Sequence, residues 1–368
     1  MQSPEKAAAG SCVKEALQAE TAPESLERIA RQAESAGASD IHIQMRGKEA
    51  DLVFRLDGVM TAPGTIPEGM AERICGRIKY LARLKTYQES LPQDGRIDKK
   101  DLGIGSDVRV ATYPTVTGEK IVLRLFKTTE ARTLAELKLP DEATAMLERF
   151  LGHSSGMLLL TGPAGSGKTT TIYSCLRHLQ ALGGRHIITV EDPVEQVLPG
   201  IMQTEVNEAR GLDFACASRH LLRQDPQVLV IGEIRDEATA QVALRAALTG
   251  HLVISTLHAG SCRGVFERLS AFVPDLSTIA AAVDLVLNQR LIRQKCSGCE
   301  GSGCVQCLGT GFRGRIPLIE WLAVTEEMRA LVRNRGFQSI TPLKPMEVLG
   351  REWVEKGLTV PQELGRVL

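Results

Sequence analysis

GPAGSGKT, residues 162–169, follows the apolar run MLLLT (157–161) and leads into the helix-forming stretch TTTIYSCLRHL (169–179). It matches G-x-x-x-x-G-K-[ST] in full, and a strand before with a helix after is the setting that motif needs. Its glycines let backbone N–H groups turn inward onto phosphate oxygens, and the helix N-terminus adds a favourable dipole. In that arrangement Lys168 reaches the β- and γ-phosphates and Thr169 offers a hydroxyl to Mg²⁺, with Gly162, Pro163, Ala164, Gly165, Ser166, Gly167 and Thr170 completing the cradle.

Three further apolar runs, HIITV (186–190), QVLVI (227–231) and LVIST (252–256), lack strict alternation, as strands covered on both faces do. Alternation of such strands with helices from about 141 onward implies a parallel sheet. Chemistry-bearing residues fall at the ends of these runs. Glu191 and Asp192 follow the first, Glu233 the second and His258 the third. Ligands of open α/β sheets bind at the carboxyl ends of the strands, so these groups are expected to converge on the phosphate loop. A nucleotide-hydrolysing site of this kind needs one carboxylate for Mg²⁺ and one to orient or deprotonate water. Glu191 and Glu233 are the candidates, and their order in the chain does not assign the two roles.

Outward from this core, residues 25–127 read as a small α+β domain. PESLERIARQAESAG (23–37) has Leu26, Ile29, Ala30 and Ala33 on one helical face, with Gly37 as its stop. IHIQM, DLVFRLDG, SDVRVAT and EKIVLRLF alternate as strands, and a helix is expected near 69–84. The division expected is an N-terminal arm at 1–24, this domain, a polar linker at 128–140, a nucleotide-binding core at 141–290 and a cysteine-rich, helical region at 291–368. Composition narrows the function classes. Lys plus Arg and Asp plus Glu number 44 each, and aromatics are 4% of 368 residues, which argues against a basic, stacking nucleic-acid surface. No apolar run is long enough to span a bilayer and the N-terminus has no apolar leader, so a cytoplasmic chain is expected.

GPAGSGKTT, TVEDPVE (189–195), LRQDPQVLVIGEIRDEATA (222–240) and TGHLVISTLH (249–258) together resemble the secretion ATPase superfamily. ASDIHI (38–43), RLDGVM (55–60), LPQDGRI (91–97), TGEKIVLRL (117–125) and CLGTGFRGRIPLIEWL (307–322) extend the likeness to about residues 24–368. The pattern is most similar to ATPases that power type II secretion and type IV pilus assembly, in a short form with little sequence before the core. The resemblance implies a RecA-like ATPase domain, ATP and Mg²⁺ as ligands, and a homo-hexameric motor. It also implies peripheral attachment to an inner-membrane platform protein. Arginines of the N-terminal domain bridge the phosphates in that family. By motif position these are Arg96, Arg109 and Arg124, with Arg219 and Arg223 as weaker interdomain candidates. Guanidinium groups delivered by a moving domain neutralise transition-state charge only when the domains close.

CSGCEGSGCVQCLGTG (296–311) places Cys296, Cys299, Cys304 and Cys307 in two adjoining C-x-x-C-x-G-x-G units. A tetrathiolate zinc site, an iron–sulfur cluster and a redox pair compete here. The paired knuckles and the resemblance favour zinc; the spacing does not match ferredoxin runs, and the setting of a thioredoxin-like motif is missing. Four thiolates close the coordination sphere, so the expected role is structural, shaping a protrusion that meets the platform protein or a neighbouring subunit. The remaining cysteines in the predicted helices, Cys75, Cys175, Cys216 and Cys262, read as inert packing residues. Two other functions share the core fold: a RecA-type nucleic-acid translocase and a nucleotide-binding regulator that does not turn over. An intact set of Lys168, Thr169, Glu191 and Glu233 argues against the regulator.

Overall fold

Apolar residues on every second position make half-buried strands, as along residues 49–56, 107–112 and 119–125. The computed structural model describes residues 21–126 and 132–368; the expected arm before residue 21 and the first part of the linker lie outside them. The chain divides into two units, residues 21–126 with Arg293–Arg315, and residues 132–292 with Ile316–Leu368.

In the first unit six strands form an antiparallel sheet: β1 (Ala38–Met45), β2 (Glu49–Leu56), β3 (Val59–Pro67), β4 (Gln93–Ile97), β5 (Asp107–Thr115) and β6 (Gly118–Phe126). Their spatial order is β3-β2-β1-β6-β5-β4. Ile41, Ile43, Leu52, Phe54, Val110 and Leu123 are sealed in a core shared with the helices Ala22–Ser35 and Glu68–Leu81. The first helix carries Pro23 in its opening turn and ends at Ser35, just before Gly37 at φ +78°. The buried pair Lys79–Glu119, at 2.7 Å, joins the second helix to β6.

In the second unit β7 (Gly156–Thr161), β8 (Ile187–Glu191), β9 (Met202–Glu205), β10 (Val228–Ile231), β11 (Leu252–Leu257), β12 (Val283–Lys295) and β13 (Phe312–Ala323) take the order β13-β12-β7-β11-β10-β8-β9. The pairs from β12 through β7, β11, β10 and β8 to β9 are parallel. β7, β8, β10 and β11 are buried along their whole length, as their unbroken apolar runs require. Leu134, Leu137 and Leu139 are buried in the same core, so the later part of the expected polar linker packs as part of this unit. Ile254, in the middle of β11, is fully buried. Ile254→Ala is therefore expected to cost about 2–5 kcal/mol in urea unfolding, through lost transfer energy plus the cavity left behind.

Candidate nucleotide site and metal centre

Lys168 opens the helix Lys168–Leu182, with Gly167 as its N-cap. Its Nζ donates to the carbonyls of Gly162 at 2.8 Å and Pro163 at 2.9 Å, folding the ammonium over the loop. Burial draws the Lys168 pKa below the usual lysine range; Glu233 opposes this and Arg290 adds to it. Ser166 Oγ is buried within the loop without a protein partner, the kind of unsatisfied group that marks a ligand site.

A cavity of about 250 Å³ opens beside the loop and is lined by Lys168, Thr169, Glu191, Glu195, Glu233 and His258 among others. The acids and the histidine expected at the strand ends thus meet the loop lysine and threonine in one place. The two candidate carboxylates differ in their commitments. Glu191 is buried, and its Oε2 accepts from Tyr173 Oη at 2.5 Å. Its Oε1 accepts from Thr189 Oγ1 at 2.6 Å and Gln203 Nε2 at 3.0 Å. Burial and the Glu191 carboxylate push the Tyr173 phenol well above its ordinary pKa, so it stays a donor. Glu233 keeps one oxygen 2.6 Å from His258 Nε2 and the other 2.6 Å from Arg235 Nε. Arg235 also reaches Asp192 at 3.1 Å, tying the ends of β8 and β10 together. Both acids line the cavity, but His258 beside Glu233 is 61% exposed at its side chain, whereas Glu191 is buried with both oxygens hydrogen-bonded.

Glu195, at the close of the TVEDPVE stretch, is a further acid of the site beside Glu191, Asp192 and Glu233, and the sequence candidates do not include it. Burial raises its pKa and Glu191 adds to the rise, while a hydrogen bond with Thr169 opposes both. It sits in an irregular segment, where periodicity gives no indication of direction. Arg219 and Arg223 are exposed and do not line the cavity.

Arg96, Arg109 and Arg124 come together on the first unit. Arg96 pairs with Arg109 across β4 and β5, Arg109 with Arg124 across β5 and β6, and Arg124 with Asp40 across β6 and β1. Asp40 in turn stands opposite Arg55 on β2. The three arginines border one shallow groove of about 500 Å³. Asp40 binds Arg124 Nε at 2.8 Å and Arg55 Nε at 3.2 Å. Burial would raise its pKa, but those cations and Ser39 outweigh it and hold the carboxyl below its ordinary range. Arg109 lies over the Phe126 ring, 4.6 Å from its centroid.

The four cysteines of 296–307 place their sulfurs within 4.8 Å of one another. Cys296–Cys304, Cys299–Cys307 and Cys304–Cys307 are separated by 3.9, 3.8 and 3.7 Å. A tetrahedral zinc with Zn–S near 2.3 Å needs sulfurs about 3.8 Å apart, so the set fits that ion. Amide N–H groups also point at sulfur, Gly303 to Cys299 at 3.2 Å, Cys304 to Cys307 at 3.1 Å and Gly311 to Cys307 at 3.3 Å. Burial tends to raise the Cys299 thiol pKa, yet hydrogen bonds from Gly301 and Gly303 prevail and bring it down to about 7. Gly311 has no alternative here, because a Cβ would lie 2.4 Å from the Gly301 carbonyl oxygen. The loop belongs to the first unit. Leu308 is buried in its core, and Gly314 N donates to Asp57 Oδ2 at 2.8 Å in the β2–β3 turn. Cys75, Cys175 and Cys262 are buried, with thiols pushed up to about 12 for the first two, and are inert as expected.

A phosphate loop leaving the parallel sheet, with acids and a histidine at the ends of the strands beside it, defines a P-loop nucleotide-binding protein with a RecA-like core. The chain belongs to the type II/IV secretion system protein family, whose profile matches residues 15–366. It is 37% identical to the type IV pilus assembly ATPase PilB of Thermus thermophilus over 93% of this chain and 42% of that protein, so it spans less than half of that relative's length. It is 38% identical to the type II secretion system protein HxcR of Pseudomonas aeruginosa, over 90% of this chain and 74% of that one. Among solved structures, the ATPase DotB of Legionella pneumophila superposes with a TM-score of 0.70 at 22% identity, covering 93% of this chain and 94% of that one. The pilus retraction motor PilT with bound ADP gives 0.63 at 26% identity, covering 92% and 95%. Among the described residues no helix is long and apolar enough to cross a membrane.

Proposed function

We propose that this chain hydrolyses ATP as one subunit of a homo-hexameric motor for a type II secretion pseudopilus or a type IV pilus. It would work at the cytoplasmic face of the inner membrane, attached peripherally through a platform protein. The observation that carries the reading is the meeting of Lys168, Thr169, Glu195, Glu233 and His258 around one cavity at the head of a helix. The names of the relatives supply the context.

Each residue takes the role its environment favours. Lys168 and the loop amides hold the phosphates. Glu191, with both oxygens committed to side chains of its own unit, braces the β8 end and the following segment. Glu233 faces the cavity with His258 and is the better placed group to orient water and take its proton. Thr169 and Glu195 would hold Mg²⁺, which when bound offsets the negative charge of the phosphates. Arg96, Arg109 and Arg124 form a cationic row on the first unit, suited to an anionic ligand. Zn²⁺ at Cys296, Cys299, Cys304 and Cys307 would be structural.

The purified chain is expected to release phosphate from ATP in a Mg²⁺-dependent manner, with no stimulation by single- or double-stranded DNA. DNA stimulation would favour the translocase instead, and tight binding without turnover would favour the regulator.

A further inference from the structure

Behind the phosphate loop lies a contact that no motif announces. β12 runs parallel to β7 with Asn288 opposite Thr161, so Gln289 comes next to Gly162, the first residue of the loop. Gln289 is 3% exposed. By strand alternation its side chain shares a face with Leu285 and Leu287, which pack in the core together with the helix Lys168–Leu182. A buried amide in an apolar row is costly unless it is used.

The Gln289 side chain meets two points, the end of the loop and the helix turn beyond it, and its main-chain carbonyl meets a third. Gln289 Oε1 accepts from Thr171 Oγ1 at 2.9 Å, in the first turn of the helix. A Cβ on Gly162 would lie 2.3 Å from the Gln289 carbonyl oxygen, and one on Gly167 would lie 2.7 Å from Gln289 Nε2. Start, end and exit of the loop therefore rest on this one residue. Because Oε1 is occupied by Thr171, the amide nitrogen is the end turned to the loop, and its partial positive charge suits an anion cradle.

We propose that Gln289 is a positioning residue for the phosphate loop, its side chain holding the end and exit of the loop through Gly167 and Thr171 and placing a donor behind the anion site. The proposal rests on the reading of that site as an ATP site. Gln289→Glu keeps the volume and the acceptor for Thr171 but turns a carboxylate oxygen to the loop. Gln289→Met keeps the bulk without polarity, and Gln289→Ala removes the support.

The full chain and these three variants are compared by equilibrium binding of ATP, by steady-state turnover and by the thermal midpoint without nucleotide. Gln289→Glu is expected to weaken ATP binding by more than about tenfold, beyond Gln289→Ala and out of proportion to the midpoint, which the buried carboxylate also lowers. Turnover at saturating ATP is expected to stay within about threefold for the variants, since ground state and transition state lose the same support. Should Gln289→Glu fail to fold, Gln289→Met is expected to bind about tenfold more weakly than wild type. The proposal is overturned if Gln289→Glu and Gln289→Met bind ATP within about twofold of wild type, or if binding losses simply follow losses of midpoint. A wild-type chain that binds no ATP overturns the nucleotide reading and this proposal with it; normal wild-type binding with unchanged variants overturns this proposal alone.

Discussion

Glu233→Gln is expected to lower ATP turnover by about two to three orders of magnitude, with ATP binding kept within about threefold of wild type. The amide has the shape of the carboxylate but cannot take a proton, and it leaves Arg235 and His258 facing a neutral group. Its side chain is 16% exposed at the mouth of the cavity, so the change should not disturb the core. Glu191→Gln makes the informative contrast. It alters a closed cluster in which the Tyr173 and Thr189 hydroxyls and the Gln203 amide all donate to the acid. A single-turnover assay beside a binding isotherm separates the two residues. Turnover by Glu233→Gln at the wild-type rate would remove Glu233 from the chemistry.

The second large effect concerns the four-thiol loop. Cys307→Ser is expected to reduce bound zinc, measured by elemental emission, from about one equivalent per chain to a small fraction of that. Cys307 is the sulfur with most to lose, since it receives two amide hydrogen bonds and lies close to both Cys299 and Cys304. The adjoining Leu308 is buried against the N-terminal strands, so loosening the loop should also lower the thermal midpoint of that unit. Binding free energies of structural zinc sites, roughly 10–16 kcal/mol, set the upper limit of that destabilisation. Full metal content in both Cys307→Ser and Cys296→Ser chains would refute the tetrathiolate assignment.

Much of this was legible in the residues themselves. The loop GPAGSGKT between an apolar run and a helix, and the placing of Glu191, Glu233 and His258 after apolar runs, carried both the core fold and the composition of the cavity, because in a parallel sheet a strand's end is a place. Strand order and hydrogen-bond partners were not legible. That Tyr173 and Gln203 close around Glu191 depends on how a helix and an edge strand pack, which neither residue's neighbours in sequence reveal. Glu195 and Gln289 escaped for related reasons: one lies in an irregular segment and the other matters through register. The cysteine repeat pointed to its own chemistry but not to its support, since Leu308 joins the N-terminal core and Gly314 reaches Asp57, far back in the chain.

The row running from Arg96 through Arg109, Arg124 and Asp40 to Arg55 has a bearing on how the N-terminal sheet holds together. Like charges directly opposite each other on neighbouring strands weaken a sheet, and here Arg96, Arg109 and Arg124 stand side by side while Asp40 pairs with only Arg124 and Arg55 of that row. The hydrophobic face has to hold the strands in register against that strain. An anion settling on the row would relieve that repulsion, so this sheet is expected to be firmest when its groove is filled.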